Sequence, residues 1–202
     1  MKKRGSTHSS SEQRQRSIID AALFCFTEKG ITETNILEIC KRSQSSIGSI
    51  YHHFGSKDGL ARAVYLEGIR EYQRGLVQEI EKHKKARDGI FGVICYHMEW
   101  VEKNPAWTRF LFQKRHEDFM TSTGDKFAQM NQEFARRIAG WFRKHVDAGT
   151  IKFLPPDLYP CILLGPCQEF LLHYRQGYTI TALKTAAREF GHAAWNALSV
   201  EK

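Results

Sequence analysis

The chain has 202 residues, enough for one large domain or two unequal ones, and 42% of them are hydrophobic, enough for a packed core. Thirty basic residues against 22 acidic ones leave a net charge of +8, which suits a polyanionic partner, whether nucleic acid or an acidic membrane surface, and equally suits plain solubility. Five scattered cysteines without a CxxC pair argue against a disulfide framework or a zinc site, and no apolar run is long enough for a membrane span.

Residues 1–10 are small, polar and basic, and read as a disordered tail. The stretch GSTHSSSEQRQR lacks the apolar core of a signal peptide, so the chain reads as cytoplasmic. From Ser11 to Lys29, Ile18, Ile19, Ala22, Leu23 and Phe26 recur at helical spacing until Gly30 stops the run. Asn35 followed three residues later by Glu38 is a capping-box pattern for a short helix carrying Ile36, Ile39 and Cys40. A polar turn at Ser43–Ser45 leads to Ser46 as the N-cap of a second short helix, with Ile50 and Phe54 facing inward. Ser56 then caps a long helix to about Lys82, whose buried stripe is Leu60, Val64, Ile69, Tyr72, Leu76 and Ile80. Further helices are expected at Gly89–Lys103, after Pro105, from Phe127 to Gly149, at Leu158–Tyr174 and at Ile180–Leu198, with the polar TSTGD stretch as a loop. About nine helices and no strand make an all-α chain.

Residues 35–54 carry the most chemistry. A short helix, a three-residue turn and another short helix suit a first helix lying across a phosphate backbone and a second entering the major groove. In that second helix Gly48 removes side-chain bulk, and Ser46 and Ser49 are short hydrogen-bonding groups that reach base edges or phosphates. Tyr51, His52 and Lys57 are placed to hold phosphates, and the helix N-terminus at Ser56–Lys57 favours an anion. Ten of the 30 basic residues and only six of the 22 acidic ones fall within residues 1–62.

Residues 16–66 resemble the DNA-binding domain of the TetR family of bacterial transcriptional regulators. The matching residues are the run IIDAALFCFTEKGI, Asn35-Ile36 through Ile39-Cys40, Ser46-x-Gly48-Ser49-Ile50-Tyr51, His53-Phe54 and Ser56-Lys57-Asp58-x-Leu60. The resemblance implies a three-helix DNA-binding domain and a fourth helix linking it to a helical bundle that binds ligand and dimerises. It also implies repression relieved by a small molecule. Under it the chain divides into a basic tail over 1–10, a helix-turn-helix domain over 11–56 and an effector-binding and dimerisation domain over 57–202. The DNA-contacting set becomes Arg16, Asn35, Ser45, Ser46, Ile47, Gly48, Ser49, Tyr51, His52 and Lys57. Three positions depart from the family's habit. Ile47 stands where a basic residue is common; it either meets a thymine methyl or packs inward on Phe24, itself apolar where a polar residue is usual. Ser45 replaces an apolar residue. Gln44 replaces a small turn residue, which is tolerable if no positive φ is needed. Arg14 and Arg16 sit near a family phosphate position, while Lys2 to Arg4 either reach a minor groove or are simply solvated.

The rest of the chain is dense in aromatics. Tyr96, Trp100, Trp107, Phe110, Phe127, Met130, Phe134 and Phe170 are candidates to line a pocket for a largely apolar effector, although core packing accounts for any one of them more readily. His97, His116 and His173 are either polar ends of that pocket or satisfied buried histidines. No metal-ligand spacing, cofactor motif or nucleophile–base pair is present, so neither a metal, a cofactor nor an enzyme is expected. Ala186, Ala187, Gly191, Ala193 and Ala194 on the last helix, with Gly165-Pro166 bending the one before, suit a close two-helix face, and the resemblance implies that two such faces meet as the four-helix interface of a homodimer. The leading expectation is a dimeric regulator on a double-stranded, inverted-repeat operator, with no membrane role. The alternative is an all-helical small-molecule binder without DNA function.

Overall fold

A computed structural model of the chain describes residues 6–113 and 124–200. These form nine α-helices: α1 (Ser6–Lys29), α2 (Ile36–Ser43), α3 (Ile47–Phe54), α4 (Lys57–Glu81), α5 (Ala86–Lys103), α6 (Pro105–Gln113), α7 (Gly124–Asp147), α8 (Leu158–Arg175) and α9 (Leu183–Leu198). No strand occurs among the described residues, where a lone bridge between Ile151 and Ser199 is the nearest approach to one. The all-α expectation holds.

The chain divides into two compact units, residues 1–70 with 104–127, and residues 71–103 with 128–202. The first unit is built around Ile18, Ala22 and Phe26 of α1, Ile39 of α2, Ile50 of α3, Leu60 and Val64 of α4 and Phe110 of α6, all essentially without solvent exposure. Phe26 and Phe110 stack with ring centroids 6.1 Å apart. Trp107 lies so close to α4 that a Cβ on Gly68 would fall 2.5 Å from its ring. Thr34 ties the loop before α2 to α1: its hydroxyl is within bonding distance of the carbonyls of Gly30, at 2.6 Å, and Cys25, at 3.2 Å.

The second unit packs Leu76, Val77 and Ile80 from the end of α4 with Ile90, Val93, Ile94 and Met98 of α5, Trp141 and Phe142 of α7, Leu163, Cys167 and Leu171 of α8, and Leu198 of α9. The loop before α8 is pinned to the end of α9, the Lys152 N–H donating to Leu198 O at 2.8 Å and the Val200 N–H to Thr150 O at 3.2 Å. Tyr159 closes that loop, donating to Lys152 O at 2.8 Å and accepting from the Leu154 N–H at 3.1 Å.

Several expectations need correction. α1 begins at Ser6, so residues 6–10 of the supposed disordered tail are helical; Lys2 to Arg4 lie outside the described residues. α7 begins at Gly124, inside the stretch expected to be a loop, whose residues 121–123 lie outside the described ones. α9 starts at Leu183 rather than Ile180, because Thr179, Ile180 and Thr181 are three β-branched residues in a row and pay heavily in side-chain freedom to enter a helix. The small residues of α9 do not form an outward face. Ala186, Ala187, Gly191 and Ala194 are buried, and α9 packs along α5 of the same chain. A Cβ on Gly191 would fall 2.6 Å from the ring of Phe91. Ala193 alone of that set points to solvent.

Gln44 is the other correction. It is the one non-glycine residue with positive φ among the described residues, at φ 54° and ψ 36°. The left-handed geometry lets the N–H groups of Gln44 and Ser45 both reach the carbonyl of Cys40 and so end α2. It costs about 1–2 kcal/mol for a residue with a Cβ. Gln44→Gly is therefore expected to raise stability in urea unfolding by up to about 1 kcal/mol after the entropy of the freer chain is deducted. Gln44→Val should lower it. Gly191→Ala should cost about 1–3 kcal/mol by overpacking against Phe91, measured the same way.

Candidate nucleic-acid interface

The local sequence builds α2 and α3 as two capped helices with a three-residue turn. Asn35, extended at φ −83° and ψ 133°, accepts the Leu37 N–H on Oδ1 at 2.9 Å. The reciprocal half of the expected capping box is absent, because the Glu38 carboxylate pairs instead with Lys29 Nζ at 2.6 Å. Ser46, at φ −79° and ψ 157°, caps α3 by accepting the Ser49 N–H at 3.1 Å. The hydroxyl oxygen read from sequence as a base or phosphate contact thus serves the helix first; its proton remains to donate. Ser43 holds the turn from behind, its carbonyl accepting from the hydroxyls of Ser17 at 3.2 Å and Ser45 at 3.4 Å.

Orientation follows from Ile50, which is fully buried and sets the inward side of α3. Ser46, Ile47, Gly48, Tyr51 and His52 are then exposed, with Ser49 half-buried. Ile47 is 42% exposed. The Phe24 ring is covered by Arg42, whose guanidinium sits 3.4 Å from the ring centroid. Nothing within 4 Å of a hypothetical Cβ on Gly48 comes closer than the Ser46 hydroxyl, at 4.0 Å, so the backbone there is open to a close partner. Beside it, His52 and His53 meet edge to face at 5.2 Å, and His53 Nδ1 lies 3.1 Å from the Gln15 amide of α1.

The cations are less free than the sequence suggests. Lys57 Nζ donates to the carbonyls of Thr32 at 2.7 Å and Thr34 at 3.1 Å, fastening the start of α4 to the loop before α2. Ser56 caps α4 as expected, accepting the Gly59 N–H at 2.9 Å. Arg16 pairs with Glu67 at 2.7 Å and with Asp20 at 3.7 Å, and Glu67 also holds Arg70 at 2.6 Å. Arg16 and Arg42 both line an open cleft of about 680 Å³, with Asp20, Phe24 and Ala106. Arg42 is the residue that sequence reasoning missed; its signal is its position at the end of α2, one turn from the exposed face of α3.

A small, hydrogen-bonding, sterically open helix face beside a cluster of cations is the geometry of major-groove recognition. Residues 18–64 match the family described as bacterial regulatory proteins, tetR family. Residues 18–64 thus carry the DNA-binding domain of the TetR family. The HTH-type transcriptional regulator BetI of Burkholderia ambifaria is 25% identical over 137 residues, which span 63% of this chain and 71% of that one. The HTH-type transcriptional regulator HbdR of Aromatoleum is 34% identical over 70 residues, 35% of this chain and 31% of that one. A TetR family transcription regulator from Marinobacter aquaeolei VT8 superposes with a TM-score of 0.78 at 16% identity, covering 96% of this chain and 100% of that one, a likeness of fold. The chain is a DNA-binding transcriptional regulator, and the likenesses point to regulators rather than to any enzyme.

The eight residues proposed from sequence for an effector pocket do not share one unit. Trp107, Phe110 and Phe127 belong to the first, where Phe127 meets Tyr65 edge to face at 5.8 Å. Tyr96, Trp100, Met130, Phe134 and Phe170 belong to the second. There Phe170 stacks on Tyr174 and meets Phe190 edge to face, and Tyr96 donates its hydroxyl to Tyr72 O at 3.1 Å. His173 is exposed and pairs with Glu169 at 3.0 Å, so it is a surface residue; His116 lies outside the described residues. All five cysteines are free, and no group of three potential metal ligands occurs among the described residues. No helix there is long and apolar enough to cross a membrane.

Because Lys57 fastens a loop and Ser46 caps a helix, both contribute to the fold itself. Ser46→Ala is expected to cost about 1 kcal/mol of stability, and Lys57→Met about the same through two lost charge-assisted bonds near solvent. Urea denaturation of the variants in the absence of DNA measures both.

Proposed function

We propose that this regulator acts as a cytoplasmic homodimeric repressor, released from an inverted-repeat operator by a small, largely apolar effector. The observation that carries the reading is the exposed face of α3, small and hydroxyl-bearing on one side and anchored by Ile50 on the other. On this reading residues 11–56 hold the DNA-reading helices and residues 57–202 the effector-binding and dimerising ones. Ser46, Ile47, Gly48 and Ser49 meet base edges. Arg16, Asn35, Ser45, Tyr51, His52 and Lys57 meet the phosphate backbone, where Arg16 exchanges Glu67 for a phosphate.

Support for a dimer through the last two helices comes from α8. Leu163, Cys167 and Leu171 face the core of their own unit, while Leu158, Cys161, Gly165 and Leu172 are exposed at helical spacing along the other side, beside the Glu169–His173 pair. A two-fold partner covers that stripe with its own copy. Two DNA-reading helices related by that axis require half-sites in inverted repeat. The effector works by population shift, through its different affinity for the DNA-competent and released conformations.

Selection of bound duplexes from a random pool is expected to return an inverted repeat, and Ile47→Ala should keep the fold while losing preference at one base pair, worth about 1–3 kcal/mol. Leu172→Glu should convert the dimer to monomer in sedimentation analysis and abolish operator binding. A pool that yields only single half-sites, with wild type sedimenting as a monomer, refutes the dimeric reading.

A further inference from the structure

Buried polar atoms without a hydrogen-bond partner are rare in folded proteins and cost about 1–3 kcal/mol each. Two of those in this chain are Nε2 of His97 and Oε1 of Gln73, both in the second unit. They belong to two hydrogen-bonded pairs, one joining α4 to α5 and the other α4 to α7. His97 of α5, 1% exposed, has its Nδ1 2.8 Å from the Tyr72 hydroxyl of α4. Tyr72 is followed by Gln73, whose amide donates to Asn131 Oδ1 of α7 at 2.8 Å. The walls are aromatic. Trp100 meets Tyr72 edge to face at 5.1 Å, and Tyr96 lies 6.0 Å from it and donates to its backbone carbonyl. The buried His145 of α7, whose Nε2 is also unpaired, differs in lying tilted against Trp141, centroids 4.3 Å apart, with no polar side chain bonded to its ring among the described residues.

The chemistry of these groups selects a ligand. With the phenol of Tyr72 donating to Nδ1, the neutral imidazole carries its proton on Nε2 and presents a donor. Gln73 presents an acceptor. Burial pushes the His97 imidazole down to about 4, so it is uncharged near neutral pH. Burial also pushes the Tyr96 phenol up to about 12, with the Glu71 carboxylate adding to the rise. Among the described residues, the hydrogen-bond partners of Tyr72, His97 and Gln73 are all uncharged, so none balances an anionic ligand.

We infer that His97 Nε2 and Gln73 Oε1 are the polar end of the effector site, and that the effector is an uncharged molecule with an apolar body and one group that both accepts and donates a hydrogen bond. An amide, an undissociated acid or an alcohol has that group. The inference rests on the proposed effector-controlled regulator and deepens it.

Benzamide, benzyl alcohol, benzoate and toluene serve as probes, titrated into the full-length protein at neutral pH by calorimetry and by thermal melting. Benzamide and benzyl alcohol should bind at least about tenfold more tightly than toluene or benzoate, the worth of one buried hydrogen bond. His97→Phe and Gln73→Leu should each lose that tenfold preference and still melt cooperatively, His97→Phe at an equal or higher temperature because an unpaired buried atom has gone. Equal affinity for benzamide and toluene, unchanged benzamide affinity in both variants, or no binding of any probe overturns the inference. Operator binding is measured in parallel. A benzamide site with no DNA binding at all would sink the regulator reading and leave this site standing, whereas operator binding with no benzamide preference does the reverse.

Discussion

One buried side chain decides which way α3 looks. Ile50 lies in the core of the first unit, fully excluded from water, and burying such a side chain is worth about 1.5–3 kcal/mol relative to exposing it. With 3.6 residues per turn, an inward Ile50 leaves Ile47, Gly48 and Tyr51 to solvent. Ser46 adds the starting point, because its extended backbone and accepted hydrogen bond define where the helix begins. Shifting that start by one residue would turn a different set of side chains outward. The α2 cap at Asn35, the left-handed Gln44 and the carbonyl of Ser43 all serve to hold that start in place.

Around this helix the charges are already employed. Lys57 is bonded to two backbone carbonyls, Lys29 to Glu38, Arg16 to Glu67 and Asp20, and Arg42 lies on Phe24. Most of these pairs are near solvent, where an ion pair is worth about 0–1 kcal/mol. They are therefore weak enough to exchange for another anion. Glu67 is central here, because it sits on α4 and binds both Arg16 and Arg70. A change in α4 that moved Glu67 would alter how readily Arg16 leaves it, which on the proposed reading gives α4 an electrostatic hold on a phosphate-binding residue.

The second unit reverses the usual economy of a core. Tight packing is evident at Gly89, where a Cβ would fall 2.3 Å from the Trp141 ring, and at Gly191 against Phe91. Yet His97 and Gln73 leave polar atoms unpaired among aromatic rings. A core selected for stability alone would fill those places with Phe and Leu. On the proposed reading, that stability is given up for binding.

What the sequence determined by itself was local. Helical periodicity located the nine helices, and Asn35, Ser46 and Ser56 were legible as caps because capping is a hydrogen bond across two or three residues. The matching run from residue 18 to 64 was legible for the same reason, since its cap, turn and anchor residues act on near neighbours. Tertiary structure decided everything that depends on a partner far along the chain. Lys57 reads as an unattached cation until Thr32 and Thr34 are brought to it, and Glu38 as half of a capping box until Lys29 arrives. The small residues of α9 read as a dimer face until α5 fills their groove. His97 reads as either the polar end of a pocket or a satisfied buried histidine until packing shows one of its nitrogens bonded and the other alone. The physical reason is common to all four: a polar or small side chain advertises what it is able to meet, and only the packed chain settles what it does meet.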